Sequence, residues 1–569
     1  MLASRSAIRH RLSIVLCTAL ATALSLLPEA SDLLAQGITT AVIQGSVEAT
    51  DGTDLDDAEI LVVNSATGFA ATGVVREGRF LVGGLEVGGP YTVTVRRLGF
   101  HSEERTGLSL TLGEPVELRF VMEPDAIPQD TLRLMVAAPL AAAHSHGGTG
   151  MTITDSLLHR LPTLNRDFYD FVRLVPQVST KIGGRPGLSG GGVGFGFNNF
   201  LINGAPERSV GAHGTPALIG GKSLPLEAVK EYQVLLAPYD VRYGDFAGAL
   251  VNTVTRSGTN QLQGSVFAYG RNDRLARSRD ETASTPYERV QYGFSLGGPI
   301  LRDRLHFFVA TELQHLTSPA PGPYLGQSPS ATPPVSVSAA DVARLDNILR
   351  AYGLVAGSGG PVQNRTPLRN IFARLDLAIP AWNSRAVLWA NYSRNSDSDF
   401  SRLESDVFSL SSYQFEPIAR SHFASFQLHT GLPRLGAGGH NELLVSYRTV
   451  GTERHSDVDQ PIVRVTVPST SGGVVTLNTG THEAAQGISG RDRKVYVQDN
   501  LTLSLGADHV MTLGVTAERF QDDREGVMGS YGSWTFASLD ALEQGVADRF
   551  EIRKDFGSAG VPIDGSQWG

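Results

Sequence analysis

Cysteine is almost missing from these 569 residues. Cys17 stands alone, so neither a disulfide scaffold nor a cysteine-held metal cluster can organise the fold. Charge is thin and slightly acidic, with 48 Lys+Arg against 57 Asp+Glu and a net −9. That leaves no basic footprint for nucleic acid. Long apolar runs are also lacking. Past residue 35 nothing approaches the roughly 18 apolar residues of a transmembrane helix, so a membrane role would have to come from strands. His-Glu-x-x-His does not occur, and no carboxylate constellation stands out. The sequence therefore offers no catalytic residue, no metal site and no cofactor. What it has is 41% hydrophobic residues at a mean hydropathy of −0.07, too apolar for a disordered chain and too polar for a helical membrane protein. Its 63 glycines follow no collagen period and point to many turns.

The N-terminus addresses the chain. Arg5, Arg9 and Arg11 precede the apolar run Leu12 to Leu27. At about 1.5 Å per residue that run falls short of a bilayer core of about 30 Å. It reads as a secretory signal over 1–35, cut after Ala35 or Ala30. Cys17 lies inside the apolar run behind Leu16, as filler.

Residues 41–123 alternate with the period of half-buried strands. Tyr91, Val93 and Val95 share one face, as do Leu118, Phe120 and Met122, with turns at Asp51-Gly52, Glu77-Gly78 and Gly88-Gly89-Pro90. About seven short strands at this spacing predict an immunoglobulin-like sandwich. Gly45-x-Val47, Ala58-x-Ile60-x-Val62, Gly78-Arg79-Phe80, Gly89-Pro90-Tyr91-Thr92-Val93 and Gly99-Phe100 resemble the carboxypeptidase regulatory-like domain, a carbohydrate-binding-like fold. Asp51, Asp54, Asp56 and Asp57 lack the Gly and Glu of a calcium loop and read as a solvated turn.

A Pro/Ala/Gly-rich linker follows at 124–150. Inside it Asp130, Thr131, Leu132, Arg133 and Leu134 resemble a TonB box, a segment that docks by adding a strand to a partner's sheet edge. The alternative is an ordinary interdomain strand. His144 and His146 lack carboxylate neighbours and read as solvent-exposed. Over 151–260 comes a helix capped at Asn165 with apolar Phe168, Phe171, Val172 and Val175, then a Gly-rich stretch from Gly183 to Gly196. Gly220-Gly221-Lys222-Ser223 ends like a phosphate loop but carries Pro216 where the leading Gly is required, so it reads as a flexible loop. Next are a strand at Asn199–Ile202, the turn Asn203-Gly204, a short helix opened by Pro225 and a strand at Tyr232–Leu235. Tyr243-Gly244 and Gly248-Ala249-Leu250-Val251-Asn252 close the segment. Together these resemble the plug of TonB-dependent receptors, with Asn203, Gly204, Tyr243, Gly244, Gly248 and Asn252 as its motif residues. Ser257-Gly258-Thr259-Asn260 and Gly297-Gly298-Pro299-Ile300 resemble the Oar-like subgroup.

From 261 to 569 the chain is a series of amphipathic strands, about nine between 262 and 520. The clearest sets Val495, Val497, Leu501, Leu503 and Leu505 against Lys494, Tyr496, Gln498, Asn500, Thr502 and Ser504, with Asp499 breaking the apolar face. Periodicity alone does not say whether the apolar face looks into a soluble barrel or out to lipid. Connection length does: short turns near 299–304, 380–384, 431–440 and 506–508 alternate with long loops near 271–286, 316–366, 394–417 and 451–491. That is the pattern of outer-membrane barrels. Plugged transporter barrels have 22 strands, and the end at Ser566-Gln567-Trp568-Gly569 carries no terminal strand with a closing aromatic. The expectation is the N-terminal part of a barrel, with an unclosed sheet around the plug.

The fold expected is mainly β: a sandwich, an α+β plug and a partial antiparallel transmembrane barrel. The resemblance implies a non-enzymatic receptor in the outer membrane of a Gram-negative-type bacterium. Its partners would be a TonB-type energy-transducing protein, outer-membrane lipid and an unidentified extracellular ligand, and not nucleic acid. Two other readings remain: a surface adhesion or structural barrel without active transport, and a soluble periplasmic carbohydrate-binding protein.

Overall fold

The computed structural model describes residues 39–125, 149–161, 163, 166–182, 185–207, 222–236, 238, 240, 242–275, 287–398, 400–487, 489–505, 509–554 and 563–568. The signal segment, the box at Asp130–Leu134, His144, His146 and Asn165 lie outside them.

The sandwich has seven strands between Ala41 and Met122, in one three-stranded and one four-stranded sheet. Alternation dictates what the sheets share: Ile43, Ile60, Val62, Tyr91, Val93, Val95, Phe120 and Met122 are all buried between them. The Tyr91 hydroxyl donates to Glu86 O at 2.8 Å, giving this buried ring a partner for its polar end. The acidic run serves the turns. Asp51 accepts from Thr53 N–H at 3.0 Å, Asp54 from Asp56 N–H at 2.9 Å, and Asp57 pairs with Arg76 at 2.7 Å.

The plug is built on a five-stranded sheet in which Ala249–Thr255 lies between Asn199–Ile202, parallel, and Val229–Leu236, antiparallel. The helix expected from Asn165 shortens to Tyr169–Val172. Its first turn is capped by Asp167, whose carboxylate accepts from Asp170 N–H at 3.0 Å. Phe171, Val172 and Val175 are nevertheless buried as their spacing requires.

Nine long antiparallel strands run in sequence order from Gln263–Asn272 to His509–Glu525, and Ile563–Trp568 pairs beyond the last, so the expectation of no strand with an aromatic at this end is corrected: long-range pairing, not local alternation, makes it. Among the described residues the sheet is open, with its first and last strands as edges. Which face is which is settled by exposure. Leu375, Leu388, Val445 and Val495 are 36–50% exposed on the convex side, whereas Asn370, Gln427, Gln498 and Asn500 are no more than 4% exposed on the concave side. Apolar out and polar in is the arrangement of a membrane barrel, and a soluble barrel would reverse it. Asp499, the polar residue on the apolar face, accepts from Asn441 Nδ2 at 2.9 Å.

The described short turns gather at one end, the periplasmic end by the rule for such barrels. Two of them are made by Asp303 (φ 61°) and Asn383 (φ 49°), residue types that tolerate the left-handed backbone a tight reversal needs. At the other end the long connections are not the structureless loops their composition suggests. Segments from three of them form one five-stranded sheet, ordered Val407–Ser409, Val474–Thr479, Ile462–Pro468, Ser533–Phe536, Arg549–Glu551. Helices Ala339–Ala351 and Leu539–Glu543, capped by Ser338 and Ser538, cover it. Leu345, Leu349, Phe408, Val465, Leu477 and Leu539 form its separate core. No single loop could bury these side chains alone, so local pattern does not reveal the sheet. Arg402 ties the loops together. It donates to Ser409 O (2.7 Å), Gly360 O (2.9 Å) and Ser358 O (3.2 Å) and lies over the Phe408 ring at 4.6 Å.

Candidate functional site

The centre of the molecule is the seat of the plug inside the concave sheet. Its apolar part is a lumenal row of large side chains on neighbouring strands: Phe308, Phe372, Trp389 and Phe423. Trp389 meets Phe423 edge-on at 4.8 Å and Phe372 at 6.1 Å. These rings share one core with plug residues Phe171, Phe200, Val234 and Val251. Around that core the wall holds the plug mainly by its backbone. Gln427 donates to Asn203 O (2.6 Å), Asn391 to Ser223 O (2.8 Å) and Arg374 to Thr255 O (2.9 Å).

The plug motif residues each hold a neighbouring part of the plug, and two of them, Gly204 and Asn252, bond directly. Asn203 turns the chain at φ 47°, and its side chain both donates to Thr255 Oγ1 and accepts from Thr255 N–H, each at 2.9 Å. Gly204 N–H donates to Asn252 Oδ1 at 3.2 Å. Gly244 O accepts from Asn199 Nδ2 at 3.0 Å. Gly248 lies where a Cβ would come within 2.4 Å of Asn198 Oδ1, the atom that accepts from Ala249 N–H at 2.8 Å. Tyr243 packs among Leu201, Leu235 and Leu250 and also against Val87 and Leu112 of the sandwich. The motif is thus a knot that fixes the plug's shape and its contact with the sandwich.

A charged seam lies between plug and wall. Lys222, the lysine of the loop-like Gly-Gly-Lys-Ser stretch, is buried against Glu312 of the wall, while Arg166 pairs with Glu227 at 2.9 Å. Burial pushes Lys222 down and Glu207 up. Burial, then the neighbouring Asp170, lifts Asp167 to about 6. Two small cavities of about 30 and 20 Å³ share Ile202, Glu207, Lys222 and Ser223, each with room for about one water.

The third element was not foreseen from sequence. The sandwich sits across the periplasmic mouth and touches both wall and plug. Glu86 reaches Arg374 at 3.0 Å and Arg385 at 3.4 Å on the wall, and the same two arginines hold Asp376 at 2.7 and 3.4 Å. Thr72 N–H donates to Asn383 Oδ1 (3.1 Å), Leu81 N–H to Ala437 O (3.2 Å) and Asn260 N–H to Ala66 O (2.8 Å). On the plug, Lys230 donates to Val87 O at 2.5 Å and Gln233 to Leu112 O at 2.9 Å. Burial would raise the Glu86 carboxyl, but Arg385 and Arg374, with Lys230 behind them, outweigh it and hold it at about 2. At Glu231 the attraction of Lys230 is too weak to offset burial. Burial takes it up to about 7, against the bond it accepts from Leu112 N–H. The only sequence signal for this interface was the run of charged residues at lumen-facing positions, Glu312, Arg374 and Asp376, where a water-filled pore would serve equally well.

A plug seated in a sheet that is apolar outside and polar inside defines the class: a plugged outer-membrane β-barrel, here with a periplasmic sandwich. Residues 42–123 match the carboxypeptidase regulatory-like domain, and residues 254–406 match the outer membrane beta barrel domain. The chain is 25% identical over 250 residues to the TonB-dependent transporter Oar of Myxococcus xanthus, covering 40% of this chain and 22% of that protein. It is 29% identical over 200 residues to the probable TonB-dependent siderophore receptor PirA of Acinetobacter baumannii, covering 33% and 25%. The matched stretches thus span about a quarter of each relative. The outer-membrane transporter YddB of Escherichia coli is similar at 15% identity and a TM-score of 0.49, over 74% of this chain and 52% of that one. Over these stretches the chain is similar to TonB-dependent transporters, which are not enzymes, and its match to the outer membrane beta barrel domain places it in the Gram-negative outer membrane.

Proposed function

We propose that this chain supplies the sandwich, plug and leading barrel strands of a receptor that takes a large or scarce substrate across the outer membrane, powered from the periplasm. The observation that carries the reading is the seat of the plug: a barrel whose lumen is filled by a folded domain passes nothing until work is done on that domain. Asp130, Thr131, Leu132, Arg133 and Leu134 are the candidate handle, since the sequence places them between the sandwich that ends at 125 and the first plug strand at 149. A TonB-type protein would bind them by strand addition and pull. The hydrogen bonds from the wall to plug backbone, and the seam around Lys222, are the contacts that would break. Leu132→Pro in the full-length protein removes a backbone donor and resists pairing. The expected outcome is loss of uptake with surface ligand binding intact. Unchanged uptake would sink the assignment of the box.

The folded sheet made from the outer loops favours one second reading, a surface adhesion barrel without active transport. It predicts that Leu132→Pro changes nothing while deletion of the loop sheet abolishes attachment.

A further inference from the structure

Three arginines stand in register on the outer wall. Arg369 lies directly opposite Arg394, and Arg394 directly opposite Arg420, on the adjacent strands Leu368–Ile379, Ser384–Ser396 and Phe415–Gly431. All three point away from the lumen. Their neighbours Asn370, Ser393, Asn395 and Ser421 face inward, Asn370 bonding to the plug and the others lining the smaller cavity. Each arginine is ten residues from the periplasmic end of its strand, marked by the mutually paired Ile379, Ser384 and Thr430. Ten residues at about 3.4 Å, tilted by about 40°, climb about 25 Å, the height of the apolar band of such barrels. Below the arginines the wall is Ile371, Leu375, Leu388 and Phe426, with Tyr392 and His422 in contact at 5.0 Å just under them. The arginines therefore stand where the outer leaflet's headgroups begin.

Like charges directly opposite in a sheet repel, and adjacent strands are only about 4.8 Å apart. Arg420 has Glu453 at 2.5 Å. Among the described residues Arg369 and Arg394 have no carboxylate partner, so the triad keeps a net positive charge. Guanidinium forks on neighbouring strands can hold the oxygens of one phosphate between them.

We propose that Arg369, Arg394 and Arg420 bind the phosphorylated headgroup of an outer-leaflet lipid. Simple snorkelling of arginines to the interface would give no headgroup preference, and that difference is the test. The full chain is reconstituted in nanodiscs of phosphatidylcholine doped with a bisphosphorylated glucosamine lipid, with the same lipid stripped of phosphate, or with neither plus free inorganic phosphate. Bound lipid is counted by native mass spectrometry. The expected result is retention of the phosphorylated lipid alone, weakened about fivefold per arginine in R369S, R394S and R420S and more than 100-fold in the triple variant. The triple lysine variant, which keeps the charge, should retain most of it. Equal retention of the stripped lipid, or an unaffected triple serine variant, would overturn the proposal. Displacement by micromolar inorganic phosphate would also overturn it, in favour of a soluble-anion site. Should the serine variant fail to fold, the comparison of the two lipids on the native chain still decides.

Discussion

Glu86 shows how a single carboxylate can set the relation between domains. It leaves the sandwich to meet Arg374 and Arg385, two wall arginines that otherwise share only Asp376. Removing one member of a buried charge group leaves the others uncompensated at about 3–5 kcal/mol. Glu86→Ala should therefore free the sandwich from the mouth. Amide exchange at Leu81, whose N–H bonds Ala437 O across the interface, checks this: protection is lost in the variant and retained in the native chain. The pH dependence has two limbs of opposite sign. Glu86 is held at about 2, below its ordinary 4.5, so its contribution is full above 4.5 and drains as pH falls toward 2. Glu231 is raised to about 7, so its contribution is full below 4.5 and is lost as pH rises through 7. Docking should weaken from pH 5 to pH 8, and Glu231→Gln should flatten that upper limb while leaving the acid limb in place. An upper limb unchanged in Glu231→Gln would assign it to another group.

Among the elements, the plug's closing strand Ala249–Thr255 depends on the residue before it. Gly248 has no Cβ because Asn198 Oδ1 occupies the space, and that oxygen also serves Ala249 N–H. Gly248→Val should displace Asn198, break the start of the strand and raise protease sensitivity in the plug, while the sandwich keeps its fold. The outer sheet depends on Arg402 in the same way. Arg402→Ala leaves carbonyls of Ser409, Gly360 and Ser358 without this donor, at about 1–3 kcal/mol for each that stays dry. Cleavage by added protease near residues 400–410 should rise in intact cells while the barrel remains in the membrane. Cleavage no faster than in the native chain would mean that the loops hold together without it.

At the scale of the whole molecule the cores decide what can stand alone. The sandwich buries its apolar residues almost entirely among themselves, so residues 39–125 expressed alone should unfold cooperatively, followed by circular dichroism. The plug differs, because Phe308, Phe372, Trp389, Phe423, Leu444 and Tyr496 of the wall belong to its core. A segment covering 149–260 alone should expose that surface and bind a hydrophobic dye. A compact, dye-free plug fragment would contradict the shared core.

Read by itself, the sequence determined whatever depends on local period and turn chemistry. Alternation placed the sandwich strands. Asn203-Gly204 marked a real reversal, because only a few residue types accept its backbone. The apolar face of Val495, Val497, Leu501, Leu503 and Leu505 followed from a period of two. Tertiary structure decided everything that needs partners far apart in the chain. Alternation alone could not say which barrel face looks to lipid, since inside and outside differ only in what lies beyond them; the short and long connections said it from sequence, and exposure agrees. The outer loops carried no sign of a joint sheet, because each supplies one or two short strands that bury nothing alone. The docking of the sandwich was hidden for the same reason: Glu86 lies 288 residues from Arg374, and a carboxylate exposed on an isolated sandwich becomes a buried ion pair only once the barrel mouth is beside it.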